Sequence, residues 1–334
     1  ADRLIAREVL THCEKPYVFC SDGVEGVRDI YEMAILIAGG KERFEQAPTL
    51  VHFAQPITPL VHPRVSVDKL IFCAENGIPL IYYSAPQAGS TSPSTLAATV
   101  VLGNAESLSG LVLAQQVRPG CAFIYGAYPS IMDMATTVFA YAAPEANLMI
   151  AAMAQMAQNY RLPFFGAAGC SDAKLPDPQA AAEAAFSCLT SALSGANLVH
   201  DCGWLDHGSV ASPAYIVLVH EILEMLRHFM QGLPLNKETL ALDLIDKVGP
   251  GGHFLEERHT LRHFREIWYS KLFDRSVQAQ WLAQGARQFE DRLREQTARA
   301  MQHEPSPLPP ETIRELDRMA RAWWAGSAEG ADSR

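Results

Sequence analysis

The chain has 334 residues, of which 49% are hydrophobic and 19% charged, and its formal net charge is −10. This composition is typical of a globular protein with a large core, and the negative charge argues against nucleic-acid and anionic-membrane partners. The sequence begins at Ala1 without the pattern of a signal peptide, and its apolar stretches are shorter than the roughly 18 uninterrupted apolar residues of a membrane span.

Seven cysteines are scattered along the sequence, and no two of them stand at a Cys-x-x-Cys spacing. This pattern is typical of a reducing compartment, where most cysteines are small buried apolar residues. We therefore expect a cytoplasmic protein. A zinc site made by Cys170, Cys202 and His200 would require the fold to join three separated residues, and no metal site is predicted.

Six short runs rich in β-branched and aromatic residues recur at 17–20, 50–53, 80–83, 122–125, 164–167 and 198–201. They start about 30 to 40 residues apart, which is the length of a strand with its crossover helix and loops. The runs are almost continuously apolar, a pattern typical of parallel strands that are covered on both faces. The sequence therefore predicts an α/β protein with a parallel sheet.

Helical patterns fill the intervals between these runs, and their ends carry capping residues. Asp22 precedes a helix that ends at Gly39, and Asp177 with Pro178 starts a helix that ends at Gly195. Further helices are predicted at residues 4–13, 144–160, 213–231, 236–249, 276–303 and 311–325.

The alternation of strands and helices predicts a parallel (β/α)8 TIM barrel at residues 1–235, with a C-terminal helical extension packed on it at 236–325 and a disordered tail at 326–334. A closed barrel needs eight strands, whereas six are predicted here, and the sequence does not start with Met. We therefore expect that N-terminal strands of the barrel are missing from this chain. The alternative is an open, doubly wound sheet of six strands.

The candidate active site lies at the carboxyl ends of the strands, where the chemistry of a parallel barrel collects. His200 and Asp201 end the last strand and are the candidate catalytic residues. Because side chains alternate along a strand, we expect only one of the two to face the interior. The candidate substrate-binding residues lie at or near other strand ends or, for the last, after a Gly-rich turn: Gln87, Tyr125, Tyr128, Ser171, Asp172, Lys174, Trp204 and His253.

Aromatic residues are mixed with polar ones at these strand ends: Tyr82, Tyr83, Tyr125, Tyr128, Phe164, Phe165 and Trp204. Their ring faces could hold a quaternary ammonium, with Tyr128 and Trp204 as the main candidates. Each of these positions also has a structural interpretation: the rings could fill the barrel, Asp172 could cap a turn, and the Lys174 amine could be solvated.

Four separated motifs occur in order along the chain: Ala-Pro-Gln-Ala-Gly at 85–89, Leu-Gly-Asn-Ala-Glu-Ser-Leu at 102–108, Gly-Cys-Ser-Asp-Ala-Lys at 169–174 and Gly-Pro-Gly-Gly-His-Phe-Leu at 249–255. Over about residues 15–320 the sequence resembles the trimethylamine methyltransferase family. The resemblance implies a (β/α)8 barrel that transfers a methyl group from a methylated amine to the Co(I) corrinoid of a separate small protein.

The founding members of that family carry pyrrolysine, and no such residue is visible here. The chain therefore resembles the non-pyrrolysine branch, whose known substrates are quaternary amines such as glycine betaine. A cobalamin-binding Asp-x-His-x-x-Gly motif is absent from the sequence. We expect no tightly bound cofactor, and we expect a partner corrinoid protein to supply the cobalt.

Two other functions stay open at the level of sequence. One is a barrel lyase that uses His200 or Lys174 as its base, and the other is a barrel that binds betaine-like ligands or a corrinoid protein without turnover. The apolar helices predicted at 213–231 and 276–303 offer an interface for a homo-oligomer. Neither nucleic acid nor a membrane is expected as a partner.

Overall fold

The computed structural model describes the backbone of residues 1–331 and the side chains of residues 1–323. Its strands are β1 (Tyr17–Phe19), β2 (Leu50–Ala54), β3 (Leu80–Ser84), β4 (Gln87–Ala88), β5 (Phe123–Ala127), β6 (Ser130–Met132), β7 (Phe139–Ala140), β8 (Phe164–Ala167), β9 (Leu198–His200), β10 (Trp204–Leu205) and β11 (Val210–Ala211). Its helices are α1 (Asp2–His12), α2 (Val24–Ala38), α3 (Lys41–Gln46), α4 (Arg64–Asn76), α5 (Leu96–Val117), α6 (Pro144–Tyr160), α7 (Pro178–Ser194), α8 (Pro213–Phe229), α9 (Lys237–Leu240), α10 (Leu242–Val248), α11 (Arg258–His263), α12 (Gln278–Ala283), α13 (Phe289–Ala300) and α14 (Pro310–Ala331).

All six predicted strands are present, and they form one parallel sheet in the order β1-β2-β3-β5-β8-β9. The order follows the chain without reversal, so every crossover moves in the same direction. A doubly wound sheet instead reverses its strand order at one point, and that alternative is therefore wrong. The sheet curls into a half-barrel, which is consistent with part of a TIM barrel.

The remaining strands are short and lie in the loops that follow the main strands. β4, β6 and β7 form a three-stranded sheet, and β10 pairs with β11 as a hairpin after β9. All five belong to loops at the carboxyl ends of β3, β5 and β9. They therefore lie at the carboxyl end of the sheet, which is where a parallel barrel carries its active site.

Side chains of the central strands alternate between the helix layer and the inner face of the sheet. On β3, Tyr82 packs against Gly110 of α5, whereas Tyr83 contacts Phe165 across the inner face. A Cβ atom at Gly110 would lie 2.3 Å from the Tyr82 ring, so only glycine allows helix and strand to approach this closely. The register pairs Tyr82 with Tyr125 and places Tyr125 in the helix layer as well.

Helix α5 is, among the described helices, the one long and apolar enough to cross a membrane by length and composition. It packs against β3, β5, α4 and α6. Its Glu106 carboxylate is fully buried and accepts hydrogen bonds from Thr58 Oγ1 at 2.9 Å, Leu60 N at 2.7 Å and Ser84 Oγ at 2.5 Å. These are the contacts of a helix in the outer layer of the sheet, with a carboxylate that anchors the loop after β2.

Two helices predicted in the C-terminal part are each broken in two. The helix predicted at 236–249 is divided at Ala241 into α9 and α10, and the one predicted at 276–303 is divided at Gly285 and Ala286 into α12 and α13. All three residues have a positive φ, which interrupts the helical backbone. Amphipathic periodicity does not reveal such breaks, because the apolar spacing continues across them.

The last helices pack at the two edges of the sheet. α13 packs on α8, which follows β9, and α14 packs on α1 and α2, where Arg7 forms an ion pair with Asp317. The backbone of α14 continues past residue 325, where the tail was predicted to start, and residues 332–334 lie outside the described part of the chain. The division into a barrel and a helical extension stays a prediction.

Candidate active site

His200 and Asp201 form a bonded pair at the end of β9. His200 Nδ1 lies 2.6 Å from Asp201 Oδ1, and the two side chains are 25% and 18% exposed. The prediction that they point to opposite faces is wrong. Asp201 has a φ of +73°, in the left-handed region, so the alternation of the strand ends at His200 and the carboxylate turns back towards the imidazole.

Aromatic rings surround the His200 imidazole on the inner face of the sheet. The Phe165 ring is stacked on it, with centroids 4.5 Å apart and planes 7° apart, and the Tyr83 hydroxyl lies 2.7 Å from His200 Nε2. Phe53 packs against Tyr83 and Phe165 at centroid distances of 4.9 and 6.2 Å. Burial, with the charge of Asp201, holds the pKa of Tyr83 well above its usual value. The imidazole is therefore held between a neutral hydroxyl and a carboxylate.

Tyr141 reaches this pair from the loop that follows β7. Its hydroxyl lies near the Asp201 carboxylate, and its pKa is raised by burial and by the charge of Asp201. Its N–H donates to Asp172 Oδ1 at 2.8 Å, and its carbonyl accepts a hydrogen bond from the Tyr128 hydroxyl. We call the group formed at this point the His200 cluster, and its members are Phe53, Tyr83, Tyr141, Phe165, His200 and Asp201.

Tyr128 lies behind Tyr141 and does not line the His200 cluster directly. Its buried ring is 5.5 Å from the Tyr141 ring and 5.9 Å from Phe139, and its hydroxyl is 3.6 Å from Cys170 Sγ. Burial raises the pKa of Tyr128 and of the Cys170 thiol, so both groups are neutral. The contacts of Tyr128 are those of a residue that positions Tyr141.

Asp172 connects three loops at the carboxyl end of the sheet. Its carboxylate accepts hydrogen bonds from the N–H groups of Tyr141 and Ala142 at 2.8 and 3.1 Å, and its Oδ1 lies 2.8 Å from His207 Nδ1. The exposed Lys174 amine donates to the Asp172 carbonyl at 2.7 Å. Asp172 thus fixes the backbone of Tyr141 over the His200 cluster, while Lys174 stays at the surface.

Ser171 stabilises the same loop through buried hydrogen bonds. It is buried, and its hydroxyl donates to the Glu183 carboxylate, which also accepts the Asp172 N–H at 2.9 Å. The Ser171 N–H donates to the Trp204 carbonyl at 3.0 Å. Trp204 is 38% exposed on the hairpin after β9, and no ring contact joins it to Tyr128 among the described side chains. A cage formed by Tyr128 and Trp204 stays a prediction.

Three further candidate residues lie apart from the His200 cluster. Tyr125 is fully buried in the helix layer, where its hydroxyl donates to Asn104 Oδ1 at 2.7 Å. The Gln87 side chain accepts a hydrogen bond from Ser90 within its own loop at 2.6 Å. His253 is exposed between α10 and α11. A substrate-binding role for these residues stays a prediction.

The sequence interpretation did not include Phe53, Tyr141, Glu183 and His207 as site residues. Phe53 stands in a predicted strand, and Tyr141 lies between a predicted strand and the helix that starts at Pro144. A rule that every loop after a strand reaches the active-site face would have found Tyr141. Glu183 and His207 carry no such signal, because their partners come from other loops.

The His200 cluster combines aromatic faces with one carboxylate. Its tyrosine hydroxyls are neutral because burial raises their pKa. Phe53 and His200 are partly exposed on the inner side of the sheet, whereas Tyr83, Tyr141 and Phe165 are buried. A cation placed there would be attracted by the ring quadrupoles and by the charge of Asp201.

Comparison with known proteins places the chain in a family. The sequence model of the trimethylamine methyltransferase (MTTB) family matches residues 4–322. The chain is 36% identical over 306 residues to the trimethylamine methyltransferase MttB of Desulfitobacterium hafniense, covering 90% of this chain and 61% of that protein. It is 36% identical over 274 residues to a glycine betaine methyltransferase of the same species, covering 81% and 57%.

The trimethylamine methyltransferase MttB of Methanosarcina barkeri is 33% identical over 296 residues, covering 88% of this chain and 59% of that protein. The chain thus spans about three fifths of the length of these relatives. Because the family model matches nearly all of its residues, the chain belongs to the trimethylamine methyltransferase family.

Proposed function

We propose that the protein is a cytoplasmic methyltransferase that moves a methyl group from a quaternary amine, such as glycine betaine, to the Co(I) corrinoid of a partner protein. The methyl transfer is supported by the family and by relatives that carry the names trimethylamine methyltransferase and glycine betaine methyltransferase. The corrinoid of the partner is the second substrate of this reaction. The observation that carries the choice of amine is the His200 cluster.

A quaternary ammonium has no N–H group, and proteins recognise it by charge and by aromatic faces. Tyr83 and Phe165 supply aromatic rings beside the Asp201 carboxylate, and the partly exposed ring of Phe53 packs against both of them. Asp201 is already paired with His200, and Tyr141 lies near its carboxylate, so an incoming ligand would meet its negative charge rather than a free hydrogen-bond acceptor. This arrangement suits a quaternary ammonium better than a protonated tertiary amine, which has a hydrogen bond to donate.

The proposed transfer needs no proton to be added or removed. The methyl group passes to cobalt without its C–N bonding pair, which stays on nitrogen, so a quaternary amine leaves as a neutral tertiary amine. The residues of this chain therefore bind and orient the ammonium and exclude water from it. His200 and Asp201 act in this account as positioning and electrostatic groups.

The proposal is tested by mixing the protein with free cobalamin reduced to Co(I), or with its corrinoid partner, and recording the absorbance change to methylcobalamin. The amines are glycine betaine, carnitine, proline betaine and trimethylamine. We expect turnover with at least one quaternary amine and an equal amount of demethylated product. Turnover with trimethylamine alone would contradict the choice of amine. Amine release without methylcobalamin would indicate a lyase, and binding without any product would indicate a non-catalytic barrel.

A further inference from the structure

Residues 231–270 are the part of the C-terminal region that buries the fewest side chains. No side chain in this segment is buried, although it contains α9, α10 and α11. Leu233 and Leu255 are 87% and 82% exposed. A segment that buries so little apolar surface needs another source of folding free energy, and a bound metal ion is one such source.

Helices α9 and α11 bring one carboxylate and two imidazoles together. His259 and His263 are four residues apart on α11, so they share one face of the helix, and their ring centroids are 4.3 Å apart. Glu238 of α9 lies against this face. Its Oε1 is 3.4 Å from His263 Nε2, and its carbonyl oxygen is 3.2 Å from His259 Nε2. The three ligand atoms lie within 4.8 Å of one another.

We propose that Glu238, His259 and His263 bind a divalent transition-metal ion of the zinc class. Two imidazoles and one carboxylate are a donor set that Zn²⁺ accepts in tetrahedral sites, with water at the fourth position. With bonds of about 2.1 Å, the ligand atoms of such a site are about 3.4 Å apart. Small side-chain rotations therefore bring the three atoms into place. Mg²⁺ and Ca²⁺ prefer sets of oxygen ligands and are not expected here.

A further carboxylate orients one of these imidazoles. Glu266 Oε1 lies 2.7 Å from His263 Nδ1, which leaves His263 Nε2 directed towards Glu238. A carboxylate on the far nitrogen of a metal-binding histidine commonly fixes the ring and its tautomer. Glu266 is thus a positioning residue for the proposed site.

Arg262 acts against metal binding. Its Nη2 lies 2.7 Å from Glu238 Oε1, so the guanidinium occupies one carboxylate oxygen and adds a positive charge close to the ion. The second carboxylate oxygen of Glu238 stays available as a ligand. Removal of the guanidinium should therefore keep or raise the metal affinity.

The site is distinct from the His200 cluster, and its role is structural. The ion would connect α9 to α11 across a segment that contains no buried side chain in the described structure. The proposal therefore does not depend on methyl transfer, and it is tested without measuring activity.

Protein freed of metal with a chelator is titrated with Zn²⁺ by calorimetry and with Co²⁺ as a spectroscopic probe. We expect one ion per chain at this site and a Co²⁺ spectrum of nitrogen and oxygen donors without thiolate bands. Glu238→Gln, His259→Gln and His263→Gln should each abolish this binding, and Glu266→Gln should weaken it by about tenfold or more.

The matched control is His12→Gln, which removes an exposed imidazole that also lies beside a carboxylate, that of Glu8 on α1. It should leave the Zn²⁺ affinity unchanged. Unchanged stoichiometry in the ligand variants, thiolate bands in the Co²⁺ spectrum, or an equal loss of affinity in Arg262→Gln and His263→Gln would overturn the proposal.

Limited proteolysis gives a second readout that does not depend on the affinity measurement. Zn²⁺ should slow cleavage within residues 231–270 of the unmodified protein and should have no such effect in His263→Gln. Equal cleavage of the unmodified protein with and without Zn²⁺ would also overturn the proposal.

Discussion

At the residue scale, Tyr82 and Tyr83 are neighbours on β3 with different environments. The Tyr82 hydroxyl lies 2.8 Å from His62 Nδ1 in the helix layer, whereas the Tyr83 hydroxyl lies 2.7 Å from His200 Nε2 on the inner face. Burial raises the pKa of Tyr82 to about 12 and that of Tyr83 well above its usual value, so both hydroxyls are neutral. The two residues therefore differ in what they contact and not in their charge.

The pair gives a matched test of the His200 cluster. Tyr83→Phe removes the hydroxyl that holds His200, and we expect kcat/KM for methyl transfer to fall by about tenfold while stability falls by about 1 kcal/mol. Tyr82→Phe should lose a similar amount of stability and keep its kcat/KM. Steady-state kinetics and urea unfolding of both variants measure this, and equal kcat/KM values would contradict a positioning role for Tyr83.

The rule that side chains alternate along a strand separates Tyr82 from Tyr83, although the sequence interpretation grouped both with the rings that could hold a quaternary ammonium. The same rule failed at Asp201, because that residue has left-handed backbone and is no longer part of the strand. Aspartate enters this region more readily than most residues, but the apolar pattern does not show where it does so. The contact of Tyr141 with Asp201 was also not predictable, because it joins two loops that are distant in sequence.

At the scale of elements, the packing of α5 on β3 depends on one glycine. Gly110→Ala would place a Cβ atom 2.3 Å from the Tyr82 ring, and the helix or the ring would have to move. We expect a loss of about 1 to 3 kcal/mol in the free energy of unfolding, which urea denaturation measures. Val112→Ala on the same helix is the control, because Val112 is 58% exposed and its change should stay within about 0.5 kcal/mol. Equal stability of the two variants would show that α5 adapts to the larger residue.

The sequence predicted the main strands from their apolar runs. It also predicted α6, α7 and α8, because each of these helices starts with a proline. The helices beyond α8 did not follow as well. Residues 231–270 bury no side chain, so the spacing of apolar residues in that segment is a weak guide to its helices. The residues with positive φ at Ala241 and Ala286 are not glycine, and no local preference marks them as helix breaks.

At the scale of the whole molecule, stability depends on a buried imidazole. His52 is fully buried beside Phe19, with ring centroids 4.9 Å apart, and burial lowers its pKa from 6.5 to about 3. The unfolded chain binds a proton at His52 below pH 6.5, whereas the folded chain does not until about pH 3. The free energy of unfolding therefore falls as the pH falls through this window, by about 1.4 kcal/mol per pH unit from this residue.

His52→Phe should remove this part of the pH dependence while it keeps the ring contact with Phe19. Urea unfolding at pH 7 and pH 5.5 should show that the unmodified protein loses about 1 kcal/mol more than the variant over this interval. Parallel losses in the two proteins would show that His52 is protonated in the folded state at pH 5.5.

The order of the six strands could be predicted in outline, because parallel strands joined by single helices most often neighbour one another in sequence order. The curvature of the sheet agrees with the predicted barrel, but the arrangement of the loops that carry Tyr141 and Asp172 could not be predicted, because it depends on contacts between separate loops. The family resemblance supplied the reaction class. The His200 cluster is the place that we propose for it.

The central claim is that the His200 cluster holds the methylated ammonium during transfer. It is tested most directly by the single-turnover rate of methylcobalamin formation from the best quaternary amine of the panel, for the unmodified protein and for Asp201→Asn. Loss of the carboxylate charge should lower this rate by about 100-fold or more, with the circular dichroism spectrum unchanged. A rate in Asp201→Asn equal to that of the unmodified protein would contradict the claim.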